Sequence, residues 1–168
     1  MDSNNTLIVY ASRHGNVEKC AREIFNLLDG KVDICNLNER ESFPDASTYD
    51  SVIIGGSIYQ GKIQESVSGF CDANLNILTK KRVGLFICCL YSDERAQKEL
   101  QEAFPPELLN TALISDYFGG EIDKSRLSFL ERIITAQMTE SGKLVSSISH
   151  EKIRKFAEKM NPPNVYEE

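Results

Sequence analysis

Apolar positions along the chain fall into two alternating patterns. Short, nearly unbroken apolar runs lie at Thr6–Tyr10, Val32–Leu37, Ser51–Ile54, Arg82–Leu90 and Ala112–Phe118. Runs of this length without polar alternation predict strands buried on both faces, as in a parallel sheet. Between them apolar residues recur at helical spacing. Val17, Cys20, Ala21, Ile24, Phe25 and Leu28 form one stripe, followed by Asp29-Gly30 as a stop. Ile63, Val67, Phe70, Cys71, Ile77 and Leu78 repeat the spacing, with a polar interruption at Asn74. Ala96, Leu100, Ala103 and Phe104 predict a third helix ended by Pro105-Pro106. Ile153, Phe156, Ala157 and Met160 predict a last one, with Ser149 as its N-cap. One further stripe, Leu127, Leu130, Ile134 and Met138, lies between the fifth strand and the last helix.

Strands alternating with helices build right-handed βαβ units. The expected fold is therefore α/β, a three-layer doubly wound sheet of five parallel strands, with an inserted helix before the last helix. No repeat, linker or low-complexity segment divides the chain, so residues 1–168 read as one domain with an insert at about 119–147. In such sheets ligands sit beyond the carboxyl ends of the strands. That directs attention to three loops, after Tyr10, after Ile54 and after Cys88.

The first loop, Ala11-Ser12-Arg13-His14-Gly15-Asn16, opens directly into the first helix. A strand, a short polar loop with glycine and a helix N-terminus make an anion site, because free N–H groups and the positive end of the helix dipole point at the ligand. The same residues also make an ordinary capped βα turn. Competing signatures fail here. A dinucleotide site wants Gly-x-Gly-x-x-Gly and a triphosphate loop wants Gly-Lys-Ser/Thr; neither occurs. A phosphoacceptor domain needs an aspartate at the end of the third strand, where this chain has Gly55-Gly56-Ser57.

The second loop, Gly55-Gly56-Ser57-Ile58-Tyr59-Gln60-Gly61, combines glycines that admit a flat ligand with a tyrosine that could stack on it or pack over its own loop. The third, Cys88-Cys89-Leu90-Tyr91-Ser92-Asp93, contains a Cys-x5-Arg spacing from Cys89 to Arg95. A phosphate cradle of that kind would enclose Asp93 and Glu94, whose charges repel phosphate. Chance accounts for the spacing better.

Composition narrows the function classes. The net charge of −6, without a basic run, opposes nucleic acid and anionic membrane surfaces. The polar, acidic start is unlike a signal peptide, and no stretch approaches the roughly 18 apolar residues of a membrane span, so a cytoplasmic protein is expected. Five cysteines (20, 35, 71, 88, 89), without a Cys-x-x-Cys pair or a neighbouring His cluster, read as small buried hydrophobes rather than disulfide or metal ligands.

Taken together, the three loops resemble those of the flavodoxin-like family. Tyr10-Ala11-Ser12-Arg13-His14-Gly15-Asn16-Val17-Glu18 resembles the family's FMN phosphate loop. Gly55-Gly56-Ser57-Ile58-Tyr59 is similar to the loop that lays an aromatic ring on the isoalloxazine, and Phe86-Ile87-Cys88-Cys89-Leu90-Tyr91 falls at the third flavin loop. Within the family, three stretches resemble the menaquinone-dependent protoporphyrinogen dehydrogenase branch: Ser12–Asn16, Ile54–Gly61, and Phe118-Gly119-Gly120-Glu121 with the helix at 124–138.

The resemblance implies strand order 2-1-3-4-5 and one bound FMN. Ser12, Arg13, His14, Gly15, Asn16 and Val17 would hold its phosphate, and Ser57, Ile58, Tyr59, Gln60, Gly61, Cys88, Cys89, Leu90 and Tyr91 its ring. His14 and Val17 stand where ordinary flavodoxins carry hydroxyls, each worth about 0.5–1.5 kcal/mol, which a charge-assisted contact from Arg13 or His14 could replace. No side chain is identified as a catalytic acid or base. Two activities stay open: an oxidoreductase acting on a bound substrate, porphyrinogen first, with a quinone or redox protein as acceptor, and an electron carrier that meets redox partners alone. A fold that has lost the flavin and serves as an interaction module is the third. A homodimer is compatible with each.

Overall fold

A computed structural model describes residues 4–12, 15–121 and 147–163. Six strands are present among them: β1 (Asn5–Tyr10), β2 (Lys31–Asn36), β3 (Ser51–Tyr59), β4 (Lys62–Ile63), β5 (Arg82–Cys88) and β6 (Ile114–Tyr117). The helices are α1 (Asn16–Leu27), α2 (Glu65–Ala73), α3 (Leu75–Leu78), α4 (Asp93–Ala103), α5 (Pro106–Thr111) and α6 (His150–Met160). Five strands run parallel in the order β2-β1-β3-β5-β6, and β4 pairs antiparallel with the far end of β3. With the short hairpin strand set aside, this is the expected doubly wound order.

The alternation of side chains along each strand sorts the core into two layers. Leu7, Val9, Val52, Ile54, Val83, Leu85 and Ile87 face α2 to α5. Ile8, Tyr10, Ile53, Phe86 and Cys88 face α1 and α6. The second layer holds an aromatic cluster in which Phe86 stacks on Phe118 at 5.1 Å and meets Phe156 edge-on at 5.9 Å. Gly55 makes that possible: a Cβ there would fall inside the Phe86 ring. All five cysteines are buried free thiols, as their pattern suggested.

Two elements depart from the reading of the sequence. Gly55–Tyr59, read as a loop after Ile54, continues β3. Gln60 (φ 51°) and Gly61 (φ 78°) then turn the chain into β4, so that Ile58 pairs with Ile63. Two positive φ values suit the right-handed twist of a tight hairpin; the paired glycines upstream hid the strand from an apolar count. The helix expected over 63–78 breaks at Asn74, whose side-chain Nδ2 donates to the Phe70 carbonyl at 2.9 Å and satisfies the end of α2. The last helix begins where expected, the Ser149 hydroxyl accepting from the Lys152 N–H at 3.4 Å. The stripe at 124–138 lies outside the described residues.

The ends of α1 and α6 are tied together. Asn161, just past α6, accepts from the Asp29 N–H at 2.8 Å and donates to the Leu27 carbonyl at 3.1 Å. One side chain thus serves two backbone groups where α1 runs out, helped by Gly30 at φ 83°.

Candidate functional site

β1 has β2 on one side and β3 on the other, so the chain reverses its winding direction there. The crevice at the carboxyl ends of β1 and β3 is the switch point where such sheets take ligands. Register sets its floor: Tyr10 lies opposite Gly55, and Ser57 opposite Cys88. The first two predicted loops meet across this crevice, and the third begins beside the second.

Gly15 is the N-cap of α1, in the left-handed region at φ 88°. That conformation costs an ordinary L-residue about 1–2 kcal/mol. The Gly15 N–H is used within the turn, donating to the Ser12 hydroxyl at 3.0 Å. Among the described residues no side chain caps the first turn of α1. The N–H groups of Asn16, Val17 and Glu18 belong to that turn, and a helix has no carbonyls of its own to offer them. The Val17 side chain is buried, so only its backbone can serve the site. Arg13 and His14 lie outside the described residues. Glu18 would oppose an anion here, but its carboxylate is drawn aside, accepting from the Tyr10 hydroxyl at 3.0 Å and from Arg22 at 3.2 Å. Burial, then the Glu18 hydrogen bond and charge, push the Tyr10 phenol up to about 12.

Gln64, which no sequence signal marked, pins the two strand ends together. Its Oε1 accepts from the Ser57 N–H at 2.9 Å, and its Nε2 donates to the Ala11 carbonyl at 3.2 Å and to the Ser57 hydroxyl. The Ser57 amide is therefore occupied. Ile58 and Tyr59 are half-buried, and Gln60 and Gly61 are exposed at the hairpin tip.

In the third segment Cys88 and Cys89 are buried, Leu90 half-buried and Tyr91 buried. The Arg95 guanidinium lies 3.7 Å from the centre of the Tyr91 ring and covers that face. Burial, with the nearby Glu99 charge, pushes the Cys89 thiol up to about 12. It stays protonated at neutral pH, which disposes of a Cys89 nucleophile. The Cys88 thiol is raised as well, by its contact with Cys20 at 3.5 Å and by burial.

A second unmarked contact ties α1 to the stretch after β6. The side-chain amide of Asn16 grips the backbone of Glu121, and Lys19 reaches the Glu121 carboxylate at 3.1 Å. The Asn16 side chain is thereby committed to Glu121, while its N–H lies in the first turn of α1. Chemically, the crevice offers an uncapped helix start that suits an anion and, beside it, a half-buried apolar rim that suits a flat group.

A family model described as a flavodoxin domain matches residues 7–149. The flavodoxin of Streptococcus pneumoniae TIGR4 superposes with a TM-score of 0.58 at 17% identity, over 93% of this chain and 97% of that one. Flavodoxin 1 of Bacillus cereus gives 0.57 at 16% identity, over 94% and 97%. A flavoprotein of Lactobacillus acidophilus in complex with FMN gives 0.52 at 14% identity, over 68% and 93%. At such identities the structural likeness speaks to the fold alone. No curated protein matches the chain.

Proposed function

The chain belongs to the flavodoxin domain family, and from that premise we propose that it binds FMN at the β1–β3 crevice and passes electrons through it. One observation carries the reading: the first turn of α1, entered through Gly15 at φ 88° and without a side-chain cap among the described residues, stands at the switch point of the sheet. That donor set fits a phosphate monoester, which backbone amides and a helix dipole hold without a dedicated cation. FMN would bring reversible electron uptake, chemistry that no side chain here provides. The residues supply binding and orientation. The amides of Asn16, Val17 and Glu18 hold the phosphate; Ser12 keeps Gly15 in its turn; Tyr10 and Arg22 hold the Glu18 carboxylate away. Ile58, Tyr59 and Leu90 border the ring, with Gln64 fixing the strand ends beneath it.

Within this reading we favour an oxidoreductase that takes electrons from a bound substrate, of the protoporphyrinogen dehydrogenase type, and delivers them to a quinone or a redox protein. Its support is the likeness of Ser12–Asn16, Ile54–Gly61 and Phe118–Glu121 to that branch, together with the contact of Glu121 on the helix that would hold the phosphate. A plain carrier is the second reading, favoured by the net charge of −6, which suits docking on basic redox proteins.

Absorbance of the purified protein and quenching of added FMN fluorescence test the cofactor. Flavin bands, or quenching that saturates at one FMN per chain, are expected. A colourless protein that leaves FMN fluorescence unchanged overturns the reading. Anaerobic turnover of protoporphyrinogen with a quinone then separates enzyme from carrier.

A further inference from the structure

We propose that Asn16 couples FMN binding to the anchoring of Gly119–Glu121, so that the two hold each other in place; the proposal rests on the FMN reading above. Asn16 Nδ2 donates to the Glu121 carbonyl at 2.9 Å and Oδ1 accepts from the Glu121 N–H at 3.2 Å. Two bonds to one peptide residue fix both the amide plane and the chain it grips. Lys19, one turn along α1, adds its contact with the Glu121 carboxylate. The approach is close enough that a Cβ on Gly120 would stand 3.1 Å from Asn16 Nδ2. On its other side the same stretch is built into the fold: Gly119, at φ 80°, bridges to Ile148, and the Ser149 N–H donates to the Phe118 carbonyl at 2.8 Å.

Asn16 therefore has two duties in one residue. Its backbone N–H belongs to the uncapped turn that faces the phosphate, and its side chain holds Glu121. The first turn of a helix is its least secured part. An anion that orders this turn also sets the Asn16 side chain for its grip; a formed grip presents the turn already ordered to the anion. Linkage makes the effect reciprocal: the factor by which FMN secures Glu121 equals the factor by which the grip tightens FMN.

The test reads hydrogen exchange at the Glu121 amide with and without FMN, using the Lys31 amide, bonded to the Asn4 carbonyl at the opposite end of the sheet, as the reference for overall stability. Saturating FMN is expected to slow Glu121 exchange about tenfold beyond any change at Lys31. Asn16→Ala is expected to weaken FMN binding by about the same factor and to make Glu121 exchange indifferent to FMN; Gly120→Ala, which only crowds Asn16 Nδ2 and leaves every helix amide in place, is expected to move both in the same direction by less. FMN binding to the parent with no added protection of Glu121, or variants that bind FMN as the parent does, overturns the coupling alone. A parent that binds no FMN overturns the cofactor reading first, and the coupling with it.

Discussion

Glu99 lies buried in α4, with Oε2 lacking a hydrogen-bond partner among the described residues and Oε1 3.9 Å from Arg95, too far for a strong bond. Burial raises its pKa above the ordinary 4.5, against the pull of Arg95. A carboxyl whose folded pKa exceeds its unfolded one favours folding through its proton. That contribution is complete below pH 4.5 and is lost as the pH climbs through the raised value. Glu99→Gln is accordingly expected to raise the urea midpoint at pH 7, and the advantage over the parent should shrink by pH 4. An advantage that stays constant with pH would remove burial of charge as its cause. At Gly15 the constraint is backbone conformation. Gly15→Ala is expected to cost about 1–2 kcal/mol in urea unfolding and to weaken FMN binding, measured by quenching. Gly15 was legible in the sequence because a glycine opening a helix after a strand has few other reasons to be there. Glu99 was not, since one acidic residue on an amphipathic helix looks like any other until the helix is docked.

Elements were more legible than the contacts between them. The five parallel strands follow from apolar runs, and α1 and α6 from their stripes and the Ser149 cap. The β3–β4 hairpin was missed because Gly55-Gly56 interrupts the apolar run, although Ile58 and Ile63 pair across the turn. Gln64 was missed for a different reason: a single glutamine before a helix has no pattern, and its value comes from where β1 and β3 end. Gln64→Leu removes three hydrogen bonds and leaves the Ala11 carbonyl and Ser57 N–H without this partner. At about 0.5–1.5 kcal/mol for each neutral bond, the expected loss is about 1.5–4.5 kcal/mol in urea unfolding. The flavin ring environment should also change, visible as shifted absorbance bands.

For the whole molecule, the topology was readable because strand–helix alternation and handedness leave few arrangements, and the switch point then locates the crevice without any side chain being identified. The net charge of −6 acts at this scale too. It disfavours added negative charge on the flavin and should lower its potential relative to free FMN. It also steers partners. Electron exchange of the FMN-loaded protein with a cationic redox partner is expected to slow as ionic strength rises from about 0.01 to 0.3 M, while exchange with an anionic one quickens. Stopped-flow rates across that range decide it; salt independence for both would mean that the charge lies away from the docking face. Asn161 adds a condition on how this molecule comes into being. The residue that finishes α1 is supplied from beyond the final helix, so α1 emerges from the ribosome long before its last turn can be completed. During synthesis the carboxyl end of that helix stays exposed to solvent until Asn161 has been made and has docked against it. Chains cut short before Asn161 should therefore be cleaved by protease near Leu27–Gly30, where chains that contain it resist.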